Sequence, residues 1–258
     1  MSRQPQSAAV LSVVIPVYNE RETWREVVAR IEAVELSGMA TQIVLVDDCS
    51  TDGTRQQLEQ FLRAHRDLPA SPQAGRIGCK VLFHERNQGK GAALRSGFAA
   101  ADGQIVIVQD ADLEYDPADY PRLVRPILEG RADVVYGSRF RCGWRGRGRL
   151  ANYLANRLLT ALSNFATGLR LTDMETCYKV LRRGVLRRLC LEQDRFGFEP
   201  EITARLAGLG VRIEEVAIRY TSRSRAEGKK IGWKDGLDAF WCIVKYALRC
   251  RLGLPARR

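Results

Sequence analysis

Four short apolar runs, each closed by a polar cluster and each leading toward a helical pattern, dictate what the first half of this chain can become. Residues 10–15 form the first run and stop at Pro16, after which Trp24, Val27, Val28 and Ile31 recur at the spacing of one helix face. Residues 43–46 form the second and end in Asp47-Asp48; Ser50 or Thr51 is placed to cap a helix carrying Leu58, Phe61 and Leu62. Residues 67–78, with two prolines and two glycines, read as a loop before a strand at 79–83. A helix over 92–101, a strand at 105–108, a helix around 120–128 and a strand at 133–136 continue the series. Parallel strands need crossover connections, so repeated βα units predict an α/β fold, a Rossmann-like, mostly parallel sheet with helices on both faces.

An open α/β sheet binds ligands at the carboxyl ends of its strands. The polar clusters stand there: 16–20 after the first strand, Asp47-Asp48 after the second, 87–91 after the third and Asp110-Ala111-Asp112 after the fourth. Four such clusters at consecutive strand ends predict one crevice. After Tyr136 the alternation stops. Residues 139–149 hold five arginines and three glycines with no apolar period and read as a basic loop; residues 221–232 form a second. Between them, residues 150–165 carry Leu150, Leu154, Leu158, Ala161 and Phe165 on one helical stripe. A last helix sets Leu237, Phe240, Trp241, Val244 and Leu248 against Asp238, Cys242, Lys245 and Arg249. Each stripe admits two readings, docking on the sheet or contact with an anionic membrane surface.

Charge follows the same division. The formal net charge is +11, but residues 1–138 hold 15 Lys/Arg against 19 Asp/Glu, whereas residues 139–258 hold 26 against 11. With 45% apolar residues the chain can fill a core, which excludes general disorder. Seven scattered cysteines with no CxxC spacing exclude a disulfide framework or zinc knuckle and favour a reducing compartment. Residues 1–9 read as a flexible lead rather than a signal peptide. No window reaches the roughly 18 apolar residues of a spanning helix, so a soluble or peripheral protein is expected.

Asp110 and Asp112 leave an apolar strand as alternate carboxylates, a pattern able to hold a hard divalent cation together with phosphates, and Glu114 offers a further oxygen. Asp47-Asp48 reads either as part of a capping turn or as an acid accepting N–H groups from a nucleobase edge. Residues 87–91 resemble a phosphate loop without the P-loop spacing, leaving Lys90 between phosphate contact and helix-start packing. His65 and His84 lack triad partners and metal spacing and read as surface or structural.

Taken together, VVIPVYNE, VDDCSTDGT, NQGKGAALRSG, QDADLE and YGSR resemble the nucleotide-sugar domain of glycosyltransferase family 2. The later segments NRLLTALSNFATGLRLTDMETCYKVLRR, FGFEPEITARL and EGKKIGWKDG narrow the resemblance to the dolichyl-phosphate mannosyltransferase-like, polyprenyl-phosphate glycosyltransferase branch. That resemblance implies a GT-A fold over residues 10–232, divided into a nucleotide- and metal-binding part (10–138) and an acceptor part (139–232), followed by an amphipathic helix and basic tail (233–258). It implies a donor such as GDP-mannose or UDP-glucose, Mg²⁺ or Mn²⁺, and inverting transfer of a hexose to a polyprenyl or dolichyl phosphate on the cytoplasmic membrane face. By the same resemblance, Pro16, Tyr18, Glu20, Val46 and Asp48 hold the nucleoside, while Asp110, Ala111, Asp112 and Glu114 hold metal and diphosphate. Arg139 and Arg157 face the phosphates of donor and acceptor, and with Asp112 form the catalytic set. Lys179 matches a basic position of the branch, and Arg223 with Lys229 or Lys230 matches a mobile loop that closes over the donor.

A phosphate acceptor is already largely dianionic at neutral pH, so it needs charge relief from arginines more than a general base. A hydroxyl acceptor on a saccharide or small molecule, the alternative, calls for a carboxylate base; Glu199, Glu201 and Asp173 are the candidates. A non-catalytic nucleic-acid-binding protein is the remote alternative, and no nucleic acid is expected: in the first basic loop only Phe140 and Trp144 are interleaved for stacking.

Overall fold

A computed structural model describes residues 9–36, 38–65, 76–141, 150–223 and 233–251. Seven strands form one sheet: β1 (Ala9–Val17), β2 (Met39–Asp47), β3 (Arg76–Phe83), β4 (Ile105–Val108), β5 (Val134–Ser138), β6 (Lys179–Arg182) and β7 (Ile213–Ala217), in the order β3-β2-β1-β4-β6-β5-β7. β1 pairs in parallel with β2 and β4, and β2 with β3. Leu11, Val13, Val14 and Ile15 all have no exposed surface, so β1 is covered on both faces, as a central parallel strand requires. The helices are α1 (Trp24–Glu32), α2 (Thr54–His65), α3 (Lys90–Ala100), α4 (Tyr120–Leu128), α5 (Leu150–Thr167), α6 (Arg183–Leu186), α7 (Phe198–Gly208) and α8 (Trp233–Arg251). The fold is the expected mixed α/β GT-A arrangement.

The chain leaves β1 for β2 on one side and returns to β4 on the other, which makes the β1/β4 boundary a topological switch point. Two strands were not expected from sequence. β6 runs antiparallel between β4 and β5, and β7 continues parallel beyond β5, so residues after 138 complete the sheet. Because β6 is reversed, it brings the residues that precede it, 172–178, to the edge where the parallel strands deliver the residues that follow them.

The two amphipathic helices do not dock by the stripes their periodicity displays. On α5, Thr160 and Ser163 are buried, while Leu150, Leu154, Leu158 and Phe165 are exposed, Phe165 by 81%. On α8, Ala239, Cys242, Ile243 and Tyr246 face inward, whereas Leu237, Phe240 and Trp241 are exposed. No helix among the described residues is long and apolar enough to cross a membrane.

Candidate active site

The turns after β1, β2 and β4 each contain a non-glycine residue in the left-handed region: Asn19 (φ 51°), Cys49 (φ 62°) and Leu113 (φ 62°). Such backbone is costly for an L-residue and persists only where surrounding contacts fix it. Asn19 shows how: its N–H donates to Ser50 Oγ (2.9 Å) and its Oδ1 accepts from Thr51 N–H (2.8 Å). Ser50 and Thr51 thus tie two strand ends together rather than cap α2; Asp52 does the capping, accepting from Thr54 N–H at 3.0 Å.

At the switch point Glu20 and Asp112 face each other across Arg223. The guanidinium lies 3.1 Å from each Glu20 oxygen and 3.3 Å from Asp112 Oδ2. Burial, then repulsion by Asp110 and Glu114, pushes the Asp112 carboxyl up to about 7. Asp110 pairs with Lys90 (3.0 Å), whose ammonium also meets Glu199 (3.0 Å). Burial opposes the charge of Lys90, yet Asp110 and Glu199 hold it well above the usual lysine value. Gln109 fixes the backbone beneath: its Oε1 accepts from Tyr120 (2.7 Å) and Tyr178 (2.8 Å), and its Nε2 donates to Asp110 O (2.9 Å). Sequence reasoning passed over Gln109, although it stands inside QDADLE.

Asp110 and Asp112 remain the alternate carboxylates that suit a hard cation held jointly with a diphosphate. Glu114, the further oxygen expected here, is close enough to act on Asp112 and is itself held by two donors. Its Oε1 accepts from Arg223 N–H (2.7 Å) and its Oε2 from Tyr220 hydroxyl (2.9 Å), so it anchors the segment leading into the second basic loop. Among the described residues no group of three or more His, Cys, Asp or Glu side chains is arranged around one metal position.

Other expected contacts are internal. Asp48 is 3% exposed and accepts from Gln88 N–H (2.9 Å), Gly89 N–H (2.7 Å) and His84 Nδ1 (2.8 Å), which leaves a nucleobase edge little of it to bind. Asp47 is buried and holds the Ser50 turn and Arg55. Val46 is fully buried within β2, between β1 and β3, its side chain against Gly97 of α3. Pro16 pairs with it across β1 and β2, Tyr18 is exposed at the crevice mouth, and Ala111 is buried between the two aspartates. The 87–91 loop is a packing device: a Cβ on Gly91 would stand 2.1 Å from Gln193 O, and one on Gly89 2.5 Å from Asp194 O. Lys179 is fully buried, its ammonium donating to Met174 O (3.2 Å) and Thr176 O, away from solvent. Lys229 and Lys230 lie outside the described residues, as do residues 142–149 and the side chain of His65. His84 is structural, joined to Ser96 as well as Asp48.

Arg139 and Arg157 do converge. Arg139 binds Asp173 through two 2.7 Å contacts, and Arg157 donates to Thr172 O at 3.0 Å. Glu215 on β7 holds this segment by accepting from Thr172 N–H (2.8 Å) and Asp173 N–H (3.1 Å).

Residues 12–190 match the family model for glycosyl transferase family 2. The chain is 32% identical over 232 residues to an undecaprenyl-phosphate 4-deoxy-4-formamido-L-arabinose transferase of Pseudomonas paraeruginosa, covering 88% of this chain and 62% of the relative. It is 29% identical over 229 residues to a dolichol-phosphate mannosyltransferase of Pyrococcus furiosus, covering 86% and 59%. The match thus spans about three-fifths of each relative. Among solved structures, glucosyl-3-phosphoglycerate synthase from Mycobacterium tuberculosis, in complex with Mn²⁺, UDP and phosphoglyceric acid, superposes with a TM-score of 0.66 at 24% identity, covering 96% of this chain and 80% of that one.

Proposed function

The chain belongs to glycosyl transferase family 2, and we propose that it moves a hexose from a nucleotide-diphosphate sugar, GDP-mannose or UDP-glucose, to a polyprenyl phosphate at a membrane surface. The observation that carries this reading is the state of the carboxylates. A hydroxyl acceptor would need one of Asp173, Glu199 or Glu201 as base, and each is tied to a cation: Asp173 to Arg139, Glu199 to Lys90, Glu201 to Arg205. A phosphate acceptor needs no base and draws its charge relief from cations; Arg139 and Arg157 meet on the 172–173 segment, where an incoming phosphate would compete with Asp173 and the Thr172 carbonyl for them. The names of the polyprenyl-phosphate relatives point the same way.

In this mechanism the nucleoside enters over Pro16, Tyr18 and Glu20, with Asp48 shaping the floor through the 87–89 loop. Asp110 and Asp112 would hold Mg²⁺ or Mn²⁺, which when bound supplies Lewis-acid relief of charge on the leaving diphosphate. Arg223, which bridges Glu20 and Asp112 at the switch point, is the cation placed to meet the donor phosphates. Arg139 and Arg157 hold the acceptor phosphate against repulsion from the donor, and the acceptor oxygen attacks the anomeric carbon from the face opposite the leaving group, inverting it. The exposed stripes of α5 and α8 rest on the lipid surface. The described cysteines Cys49, Cys79, Cys177, Cys190 and Cys242 are free thiols, in keeping with a cytoplasmic face.

Purified protein given either donor, Mg²⁺ or Mn²⁺ and a short polyprenyl phosphate should form a lipid-linked sugar, and Asp112→Ala should abolish it. Absence of product with both donors, or undiminished product from the variant, overturns the reading.

A further inference from the structure

The 172–177 loop joins the two ends of the crevice. At its start Thr172 O receives Arg157 and Asp173 receives Arg139. At its end Cys177 N–H donates to Tyr115 hydroxyl (3.1 Å) and Cys177 Sγ donates to Val108 O (3.8 Å), on either side of Asp110–Asp112. Glu175 stands midway. Three polar atoms in this neighbourhood are shut off from solvent with no hydrogen-bond partner: Glu175 Oε1, Thr176 Oγ1 and Glu199 Oε2. Thr176 has no exposed surface and Glu199 only 5%. The buried ammonium of Lys179 centres the group, bound to the carbonyls of Met174 and Thr176 and attracted to both glutamates. An enclosed polar atom without a partner has given up its hydration with nothing in return. Three such atoms lie together between the Asp110–Asp112 end and the arginine end, and Glu175, unlike Asp173, Met174, Thr176 and Cys177 around it, keeps part of its surface exposed.

We propose that Glu175, with Thr176 and Glu199 beside it, reads the hydroxyl groups of the sugar being transferred. The inference rests on the donor and acceptor placement above: a sugar passing between the two phosphates has to cross this loop. Burial, then repulsion by Glu199, pushes the Glu175 carboxyl up to about 8 against the pull of Lys179 and Arg139, with Asp173 adding to the repulsion. At neutral pH it therefore keeps its proton and both donates and accepts, matching a sugar hydroxyl. The same proton disqualifies it as a base.

Calorimetry with UDP, GDP, UDP-glucose and GDP-mannose in the presence of Mn²⁺, on the wild type, Glu175→Ala and Glu175→Gln, tests this. Glu175→Ala should weaken the preferred nucleotide sugar about tenfold relative to the matching free diphosphate, whose affinity stays put and reports a folded protein. Glu175→Gln, which keeps one donor and one acceptor, should restore most of that loss. Equal weakening of diphosphate and nucleotide sugar, or no change in either, overturns the proposal in favour of a packing or buried-water role. Collapse of kcat in Glu175→Gln with sugar affinity intact overturns it in favour of a base. A wild type that binds none of the four nucleotides removes the proposed function and this inference with it.

Discussion

Lys90 is the residue on which the acidic end of the crevice turns. It separates Asp110 from Glu199, and without it two enclosed carboxylates confront each other. Lys90→Met should cost about 3–5 kcal/mol in a denaturant titration and depress turnover further through the misplaced Asp110. Glu175 gives a pH signature. Its folded value of about 8 lies above the usual 4.5, so the folded state holds a proton the unfolded state releases, and stability falls as pH rises between those values. Glu175→Gln lacks this titration; the gap in denaturation midpoint between it and the wild type should grow in the variant's favour up to about pH 8 and level off beyond. Residue roles were the least legible part of the sequence. Spacing marks Asp48 and Lys179 as polar groups near strand ends, but only three-dimensional neighbours reveal that N–H groups and carbonyls already occupy them.

At the scale of elements, the start of α3 is fixed by the turn at 193–194. Ala92 N–H donates to Asp194 O at 3.1 Å, and Arg95 donates to Gln193 O at 2.6 Å. In an open helix, glycine to alanine gains about 1 kcal/mol; Gly91→Ala, meeting Gln193 O, should instead lose about 1–3 kcal/mol, measured by thermal or chemical unfolding. Strands β1 to β5 were legible because their apolar runs are flanked by turn residues. β6 was not, because Lys179 interrupts its pattern with a charge whose burial the loop carbonyls make possible. α7 was hidden the same way, since Glu199 and Glu201 are buried and disguise a helix covered nearly all round. The stripes of α5 and α8 were legible as amphipathic, but not their orientation. If they rest on lipid, Leu158→Glu or Trp241→Glu should lower vesicle binding about tenfold or more, since burying one such side chain contributes about 1.5–3 kcal/mol, while diphosphate binding persists.

For the whole molecule, the uneven charge becomes a polarity of the particle. The acid-rich half supplies the sheet's parallel block and the Asp110–Asp112 turn; the basic half supplies Arg139, Arg157, Arg223 and both exposed apolar stripes. Attraction to anionic lipid adds about 1 kcal/mol per surface cation and is screened by salt. Flotation with vesicles containing phosphatidylglycerol should therefore show binding at low ionic strength that declines at high, with neutral vesicles retaining only the part due to the apolar stripes. Composition made the charge division visible at once; which side of the fold it would occupy depended on how the last two strands enter the sheet.

That entry also bears on how the protein is made. β6 follows β5 in the chain yet lies between β4 and β5 in the sheet. On the ribosome β5 emerges first, with the place beside β4 still vacant, and the two strands cannot settle side by side without shutting out the strand that belongs between them. Assembly of the sheet therefore has to wait for synthesis to pass residue 182, and a nascent chain stopped before that point carries the turns after β1, β2 and β4 on an unfinished scaffold.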